Sequence, residues 1–268
     1  MVTWVEKVEQ RLKHTEKNVP WWVNDKAKLH NFAEEHGIPM PEVFRYWDEP
    51  SQLETLEDLP SRFVLKPTVM HSNWGVQLLE RKEPGKYYDS LNSATYGLDG
   101  IRKVQENAYS KCNYKGQYKL MAEEYVQSPD EDKPVPFDYK VYCFYDTPML
   151  VQQVDRNGSK DKHFFFDGEF NPLPSEGYVE SDWRHVELGE PVIPHDPAAL
   201  LEAAVRTTVA LNTPFMRVDM FHGKNGTVIG ELTPAPGPLY YKKIMWLSDS
   251  FDEELGRAWE LAEQKVSN

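Results

Sequence analysis

Residues 214 to 233 place two carboxylates and a guanidinium on what reads as a β-hairpin. The runs "PFMRVDMF" and "GTVIGELT" flank a turn-rich "HGKNG". Within each run the polar residues share parity, Arg217 with Asp219 and Glu231 with Thr233, so each pair points to one face of its strand. If the turn is symmetric about Asn225, Asp219 stands opposite Glu231. A two-residue Asn225-Gly226 turn shifts the register by one and separates them. Two facing carboxylates repel, and a cation between them removes the conflict. Hard oxygen donors of this kind suit Mg²⁺, which takes one or two carboxylates and completes its shell with phosphate and water. Arg217 beside them adds a donor fork for phosphate. A salt-bridged hairpin, with Arg217 simply neutralising Asp219, explains the same residues, and this segment alone leaves both readings open.

A second stretch, "FVLKPTVMHSNWGV", sets Lys66 at a strand end, ahead of a loop of small and polar residues that re-enters a strand at Gly75. Exposed backbone N–H groups in such a loop, with a lysine at its base, can hold a polyphosphate. The GxxxxGK[ST] pattern is absent, which excludes P-loop chemistry on motif, and the bland reading is a plain connection between strands. Lys140 and Arg156 are further basic candidates for phosphate or a substrate carboxylate, with ordinary ion pairing as the equal alternative. The eight histidines show no HxH or HExxH spacing, so zinc is not expected. No GxSxG or Cys–His signature points to a covalent nucleophile. Trp21, Trp22 and Trp74 read as packing residues.

The elements that must position these residues are legible in outline. Trp4, Val5, Val8 and Leu12 give residues 2 to 18 a helical apolar spacing opposite a charged face. A helix capped by Asn24 or Asp25 follows, with Leu29, Phe32 and Ala33 as its stripe and Gly37 and Pro39 as its stop. "RFVLKP" and "GVQLLE" read as paired strands, residues 99 to 112 as a helix, and "YKLMAEEYV", "DYKVYCFY" and "PMLVQQVD" as three further strands. The Pro-rich "SPDEDKPVPF" reads as a surface loop and residues 167 to 195 as a long covering segment. "DPAALLEAAVRTTVALN" is a helix with Asp196 as cap and Pro197 in its first turn, and a last helix starts near Phe251. Helix, sheet, helix, sheet predicts an α+β protein with two sheet-bearing lobes.

Bulk properties narrow the partners. The chain has 268 residues, 40% hydrophobic and 27% charged, enough for a sizeable core in one large domain or two small ones. A net charge of −13 argues against nucleic acid and against anionic membrane surfaces. Cys112 and Cys143 have no metal or CxxC spacing and read as reduced thiols. No signal peptide and no membrane-length apolar run is seen, so the expectation is a cytoplasmic protein, with the sequons at Asn157 and Asn225 serving as turns.

Six blocks in order, "DK…GIPMP", "FVLKP…WGV", "MAEEYV", "DYKVYCF", "RVDMF" and "GELTPAPG", together resemble the ATP-grasp superfamily across Asp25 to Gly256. "DYKVYCF", "VQQVDR" and "GELTPAPG" resemble its TupA-like branch, named for teichuronopeptide biosynthesis. The resemblance implies an ATP-grasp fold, two α+β lobes with antiparallel sheets gripping ATP between them. It divides the chain into an N-terminal helical segment, 1–24, and an ATP-grasp domain, 25–268, with a nucleotide lobe at about 62–125 and a catalytic lobe at about 126–268. It implies that Lys26 and Lys66 bind the ATP phosphates under a loop of His71, Ser72, Asn73, Trp74 and Gly75. By the same resemblance adenine would be received by Glu123, Glu124, Tyr125 and Val126, and ribose by Asp138. Arg217 would steady an acyl phosphate, with Lys66 beside it in catalysis, and Lys140 is added as a further basic candidate for catalysis. Asp219 and Glu231 would bind Mg²⁺, and Thr233 stands where many relatives carry an Asn ligand.

The activity implied is an ATP-dependent carboxylate–amine ligase acting on small carboxylate and amine substrates, such as sugar acids or amino acids in surface polysaccharide or peptide-polymer synthesis. A kinase acting on a hydroxyl, or an ATP-binding protein without catalysis, are the alternatives. The domain that many ATP-grasp ligases carry ahead of the "DK" helix has no counterpart in the 24 residues before Asp25, so part of the acceptor surface is absent or is supplied by a second subunit, as in a homodimer.

Overall fold

The computed structural model describes residues 2–70 and 74–266. Helices α1 (Trp4–Leu12) and α2 (Lys26–His36) open the chain. Strands β1 (Val43–Trp47), β2 (Arg62–Pro67), β3 (Gln77–Glu83), β4 (Lys86–Asp89) and β5 (Ala94–Tyr96) precede α3 (Leu98–Ser110) and β6 (Leu120–Glu124). Next come β7 (Asp138–Phe144), β8 (Thr147–Asp155), β9 (Lys162–Asp167), β10 (Val179–Ser181) and β11 (Glu187–Leu188). The C-terminal part contains α4 (Pro197–Ala210), β12 (Met216–Gly223), β13 (Gly226–Thr233), α5 (Gly237–Tyr241), β14 (Met245–Leu247) and α6 (Asp249–Val266). The architecture is α+β with antiparallel sheets. Two compact units divide it, one of Met1–Val23, Phe32–Met40 and Gln127–Asn268, the other of Asn24–Asn31 and Pro41–Val126.

The smaller unit is built on a six-stranded sheet of order β1-β6-β2-β3-β4-β5, every neighbour antiparallel. The alternation in "RFVLKP" turns Phe63 and Leu65 into a core with Leu79, Leu120, Ala122 and Ile101 of α3, while Arg62 stays outside. Gly75 has φ +73°, and a Cβ there would lie 2.8 Å from Pro67 Cγ and 2.9 Å from Ala108 Cβ, so this return into β3 requires glycine. Gln105 of α3 donates from Nε2 to the Gly75 carbonyl and to Gln77 Oε1, both at 2.8 Å, and so fixes the loop's exit from beneath.

The larger unit carries a second six-stranded sheet, β11-β9-β8-β7-β12-β13, antiparallel except where β11 joins β9, plus a separate β10–β14 ribbon. Its core gathers Trp4 and Val8 of α1, Tyr142 and Phe144 of β7, Phe215, and Phe251, Leu255 and Trp259 of α6. Thr3 and Glu6 cap α1 reciprocally, the Glu6 amide donating to Thr3 Oγ1 (3.2 Å) and the Thr3 amide to Glu6 Oε2 (2.9 Å). Asp196 caps α4 through the Ala199 amide (2.9 Å), with Pro197 behind it.

Several expectations from the sequence change. The first helix ends at Leu12 rather than near 18, because His14 and Asn18 adopt φ of 56° and 60°. Its buried stripe takes Arg11, fully enclosed, and leaves Leu12 39% exposed. Trp22 and Trp74 are 38% and 44% exposed; Trp22 meets Phe32 edge-on, and Lys111 Nζ lies 4.1 Å above the Trp74 ring. Strands β1, β4, β5 and β9 had no reading in the sequence. Both cysteines are buried and unpaired. No helix among the described residues is long and apolar enough to cross a membrane.

Candidate active site

The β12–β13 hairpin has Asp219 directly opposite Glu231 and Arg217 opposite Thr233. The route to that register differs from both turns considered. Gly223 pairs with Gly226 across a two-residue turn of Lys224 and Asn225, and Gly226 takes φ +113°. That turn alone would set Asp219 against Gly230. A bulge between Asp219 and Met220 in the ladder leaves Gly230 unpaired and returns Glu231 to the face of Asp219. A Cβ on Gly230 would lie 2.5 Å from the Phe221 ring, so the bulge accepts only the smallest residue.

From this hairpin a polar row runs straight across the sheet, Glu231 to Asp219 to Lys140 to Gln152, each facing the next in register. Asp219 is 4% exposed. It receives Arg217 Nε (2.6 Å) and Nη2 (2.7 Å) as a fork, and Lys140 Nζ at 2.6 Å. Arg217 Nη2 also donates to Thr233 Oγ1 at 2.9 Å. Lys140 bridges onward to Asp138 Oδ2 (2.7 Å), which Arg156 Nη1 also meets at 2.8 Å. Burial works against the Arg217 charge, but Asp219 outweighs it and holds the guanidinium pKa above its ordinary value. Burial likewise works against the Asp138 charge, and Lys140 and Arg156 still hold its carboxyl below the usual range. The Oδ1 atom of Asp138 is buried without a hydrogen-bond partner among the described residues. Burial raises Tyr142, beside Arg217, to about 12.

Glu231 is exposed and accepts no hydrogen bond among the described residues. Two facing carboxylates, one of them open, with a hydroxyl at Thr233, form a donor set that fits Mg²⁺ completed by phosphate and water. The cation would share Asp219 with Lys140 and Arg217. Among the described residues no group of three or more His, Cys, Asp or Glu is arranged to hold a metal.

The smaller unit holds the other candidates. Lys26 lies in the first turn of α2 and donates from Nζ to the Met70 carbonyl at 3.1 Å. Lys66 pairs with Glu123, whose Oε2 is 3.5 Å from His30 Nε2. Burial pushes against the Glu123 charge, yet Lys66 and His30 keep its pKa low. Glu124 accepts from the Glu42 amide at 3.4 Å, and Tyr125 and Val126 are half-buried. Trp74 and Gly75 belong to this unit, and His71, Ser72 and Asn73 lie outside the described residues. Trp74, Gly75, Val76, Asn92, Asn107 and Ala108 border a cavity of about 330 Å³.

Sequence reasoning missed His30, Tyr142, Gln152 and His163. His30 sits four residues after Lys26 on one face of α2, a spacing that would have found it. Gln152 Nε2 and His163 Nδ1 are 3.0 Å apart in the buried sheet. Burial pushes the His163 pKa down to about 4. The folded imidazole therefore stays neutral while the unfolded one protonates near pH 6.5. The unfolded state binds the extra proton, so stability is full above pH 6.5 and falls as pH drops toward 4, by about 3 kcal/mol from this group. Urea unfolding at pH 7 and pH 4.5 should show a smaller acid loss in His163→Gln than in the wild type, and equal losses would remove His163 from the account.

Comparison with solved structures finds the same fold in D-alanine–D-alanine ligase from Helicobacter pylori, with TM-score 0.54 and 14% identity over 88% of this chain and 60% of that one. The ATP complex of the Bacillus anthracis D-alanine–D-alanine ligase gives TM-score 0.53 and 14% identity over 91% and 67%. The ATP-grasp ligase PsnB, complexed with precursor peptide PsnA2 and AMPPNP, gives TM-score 0.47 and 10% identity over 89% and 57%. The chain thus spans 57% of PsnB, and to the two D-alanine–D-alanine ligases, at 14% identity, the likeness is one of fold. No curated protein matches the sequence. A family model described as TupA-like ATPgrasp matches residues 6–260, and the chain belongs to that family.

Proposed function

We propose that the protein is an ATP-dependent carboxylate–amine ligase. The observation that carries this reading is the facing pair of buried Asp219 and exposed Glu231, with Arg217 forked onto Asp219 beside them. In the reaction a substrate carboxylate oxygen attacks the γ-phosphorus of ATP, the bond to the β–γ bridging oxygen breaks, and ADP leaves. The amine then attacks the acyl carbon, inorganic phosphate departs, and the amine proton passes to the phosphate or to water.

This reading assigns Lys26 and Lys66 to the ATP phosphates, Glu123 to Val126 to adenine, Asp138 to ribose and Trp74 with Gly75 to the closing loop. The same assignment extends that loop to His71, Ser72 and Asn73. Magnesium held by Asp219 and Glu231, with Thr233 at the edge, would neutralise phosphate charge. Arg217 and Lys140 hold positive charge where the acyl phosphate develops negative charge. Most of the rate enhancement then comes from positioning and electrostatics. The substrates that fit are a sugar acid or amino acid and an amine acceptor, in surface-polysaccharide or peptide-polymer synthesis, and the setting proposed is the cytoplasm.

ADP release should be followed with ATP and Mg²⁺ across amino acids, short peptides and uronic acids, each with and without an amine. Release that needs both a carboxylate and an amine, and is lost in Glu231→Ala, is the expected result. Release with a hydroxyl substrate alone would make the protein a kinase, and ATP binding without release across the panel would overturn the ligase reading.

A further inference from the structure

We propose that Arg11 is a positioning residue for the hairpin that carries Arg217, Asp219, Glu231 and Thr233. Its side chain is completely enclosed. A guanidinium has five N–H donors, and all are engaged. Nη1 donates to the carbonyls of Phe215 and Pro234, each at 2.8 Å. Nε and Nη2 form a fork with Glu16 at 2.7 and 2.8 Å, and Nη2 reaches Thr213 Oγ1 at 3.2 Å. The plane lies 4.5 Å from the Trp259 ring centre.

The place of those two carbonyls gives the contact its meaning. Phe215 comes two residues before Arg217, and Pro234 directly follows Thr233. Arg217 and Thr233 are the last facing pair at the open end of the hairpin. One nitrogen of Arg11 therefore joins the two strands just beyond the end of their own ladder. Proline has no amide hydrogen, so the β13 strand cannot extend the ladder by donating from Pro234. Anchoring α1 does not require this arrangement. Asp252 Oδ1 accepts the Val5 amide at 2.9 Å, and Lys7 Nζ meets Glu263 at 2.8 Å. A Cβ on Gly256 of α6 would lie 2.1 Å from the Val2 carbonyl oxygen, so the N-terminal segment is already seated closely on α6.

Arg11→Lys keeps the charge and loses the planar fork. Hydrogen exchange of the backbone amides at 216–218 and 231–233 should quicken by at least about tenfold, with the turn end, 221–228, changed by less than about twofold. Where turnover is concerned the inference rests on the ligase reading. There kcat should fall about tenfold while KM for ATP stays within about twofold. Val8→Ala, from the same helix, is the control: it should lose stability and keep kcat. Glu16→Gln, a gentler change should Arg11→Lys fail to fold, should move the same amides by about threefold. Unchanged exchange at the open end, or a uniform rise over the whole unit, would overturn the proposal. If the wild-type protein releases no ADP, the ligase reading fails by itself and the exchange pattern still decides the role of Arg11.

Discussion

Asp219→Asn is expected to lose turnover and stability together, whereas Glu231→Gln is expected to lose turnover alone. Both changes remove one negative charge from the facing pair, and loss of a charged ligand at a phosphoryl-transfer centre costs roughly 10³-fold in kcat, about 4 kcal/mol of barrier. Their surroundings separate them. Asp219 is buried and compensates Arg217 and Lys140 at once, so neutralising it leaves two enclosed cations short of charge. Removing one partner of such a buried group costs roughly 3 kcal/mol. Glu231 is exposed and accepts no hydrogen bond among the described residues, so its removal should cost under about 0.5 kcal/mol. Only the Glu231 change is therefore expected to leave the fold nearly intact. Thermal melts and ADP release on both variants test this, and an Asp219→Asn protein with wild-type turnover would end the metal assignment.

Trp259→Ala should be the most damaging single change to the larger unit. The indole is fully buried and stacks on Phe215 at 4.5 Å with 21° between planes. Phe144 meets it edge-on at 6.2 Å, and Arg11 covers it at 4.5 Å. Large-to-small truncation of a buried aromatic costs about 3–5 kcal/mol. The lost cation–π contact adds about 1 kcal/mol. Against a total stability of about 5–15 kcal/mol, and with each kcal/mol worth about 2–4 °C in a unit of this size, the midpoint should fall by about 10–20 °C. Trp259→Phe should cost under about 2 kcal/mol, since the indole N–H is buried without a partner among the described residues and its loss strands nothing there. A loss below about 2 kcal/mol in Trp259→Ala would show that the stack is not what secures α6.

The legible and illegible parts of the sequence divide by physical cause. Helix α4 was readable because Asp196, Pro197 and its apolar run all point the same way, and β7, β8 and β12 because short runs rich in β-branched, aromatic and other apolar residues suit strands buried along most of their length. The Asp219–Glu231 pairing was readable only as a conditional, since parity identifies a face while register depends on a bulge that one glycine encodes. Arg11 was hidden because its type predicts exposure, and only distant carbonyls on other elements explain its burial. His163 and Gln152 were hidden for a different reason: they meet across two neighbouring strands, and β9 and its register against β8 were not legible in the sequence. Strands β4 and β5 are four and three residues long, too short for periodicity to register.

The bulge at Gly230 has a consequence for how this hairpin tolerates changes of length. Between the turn and the facing carboxylates β13 carries one residue more than β12, and the bulge is where that surplus is stored. With the two-residue turn kept, a chain lacking Gly230 would still bring Glu231 level with Asp219 in a regular ladder. A residue added elsewhere on either strand between the turn and this pair would have to be absorbed in a second bulge or in a longer turn; otherwise it would carry Glu231 out of register with Asp219.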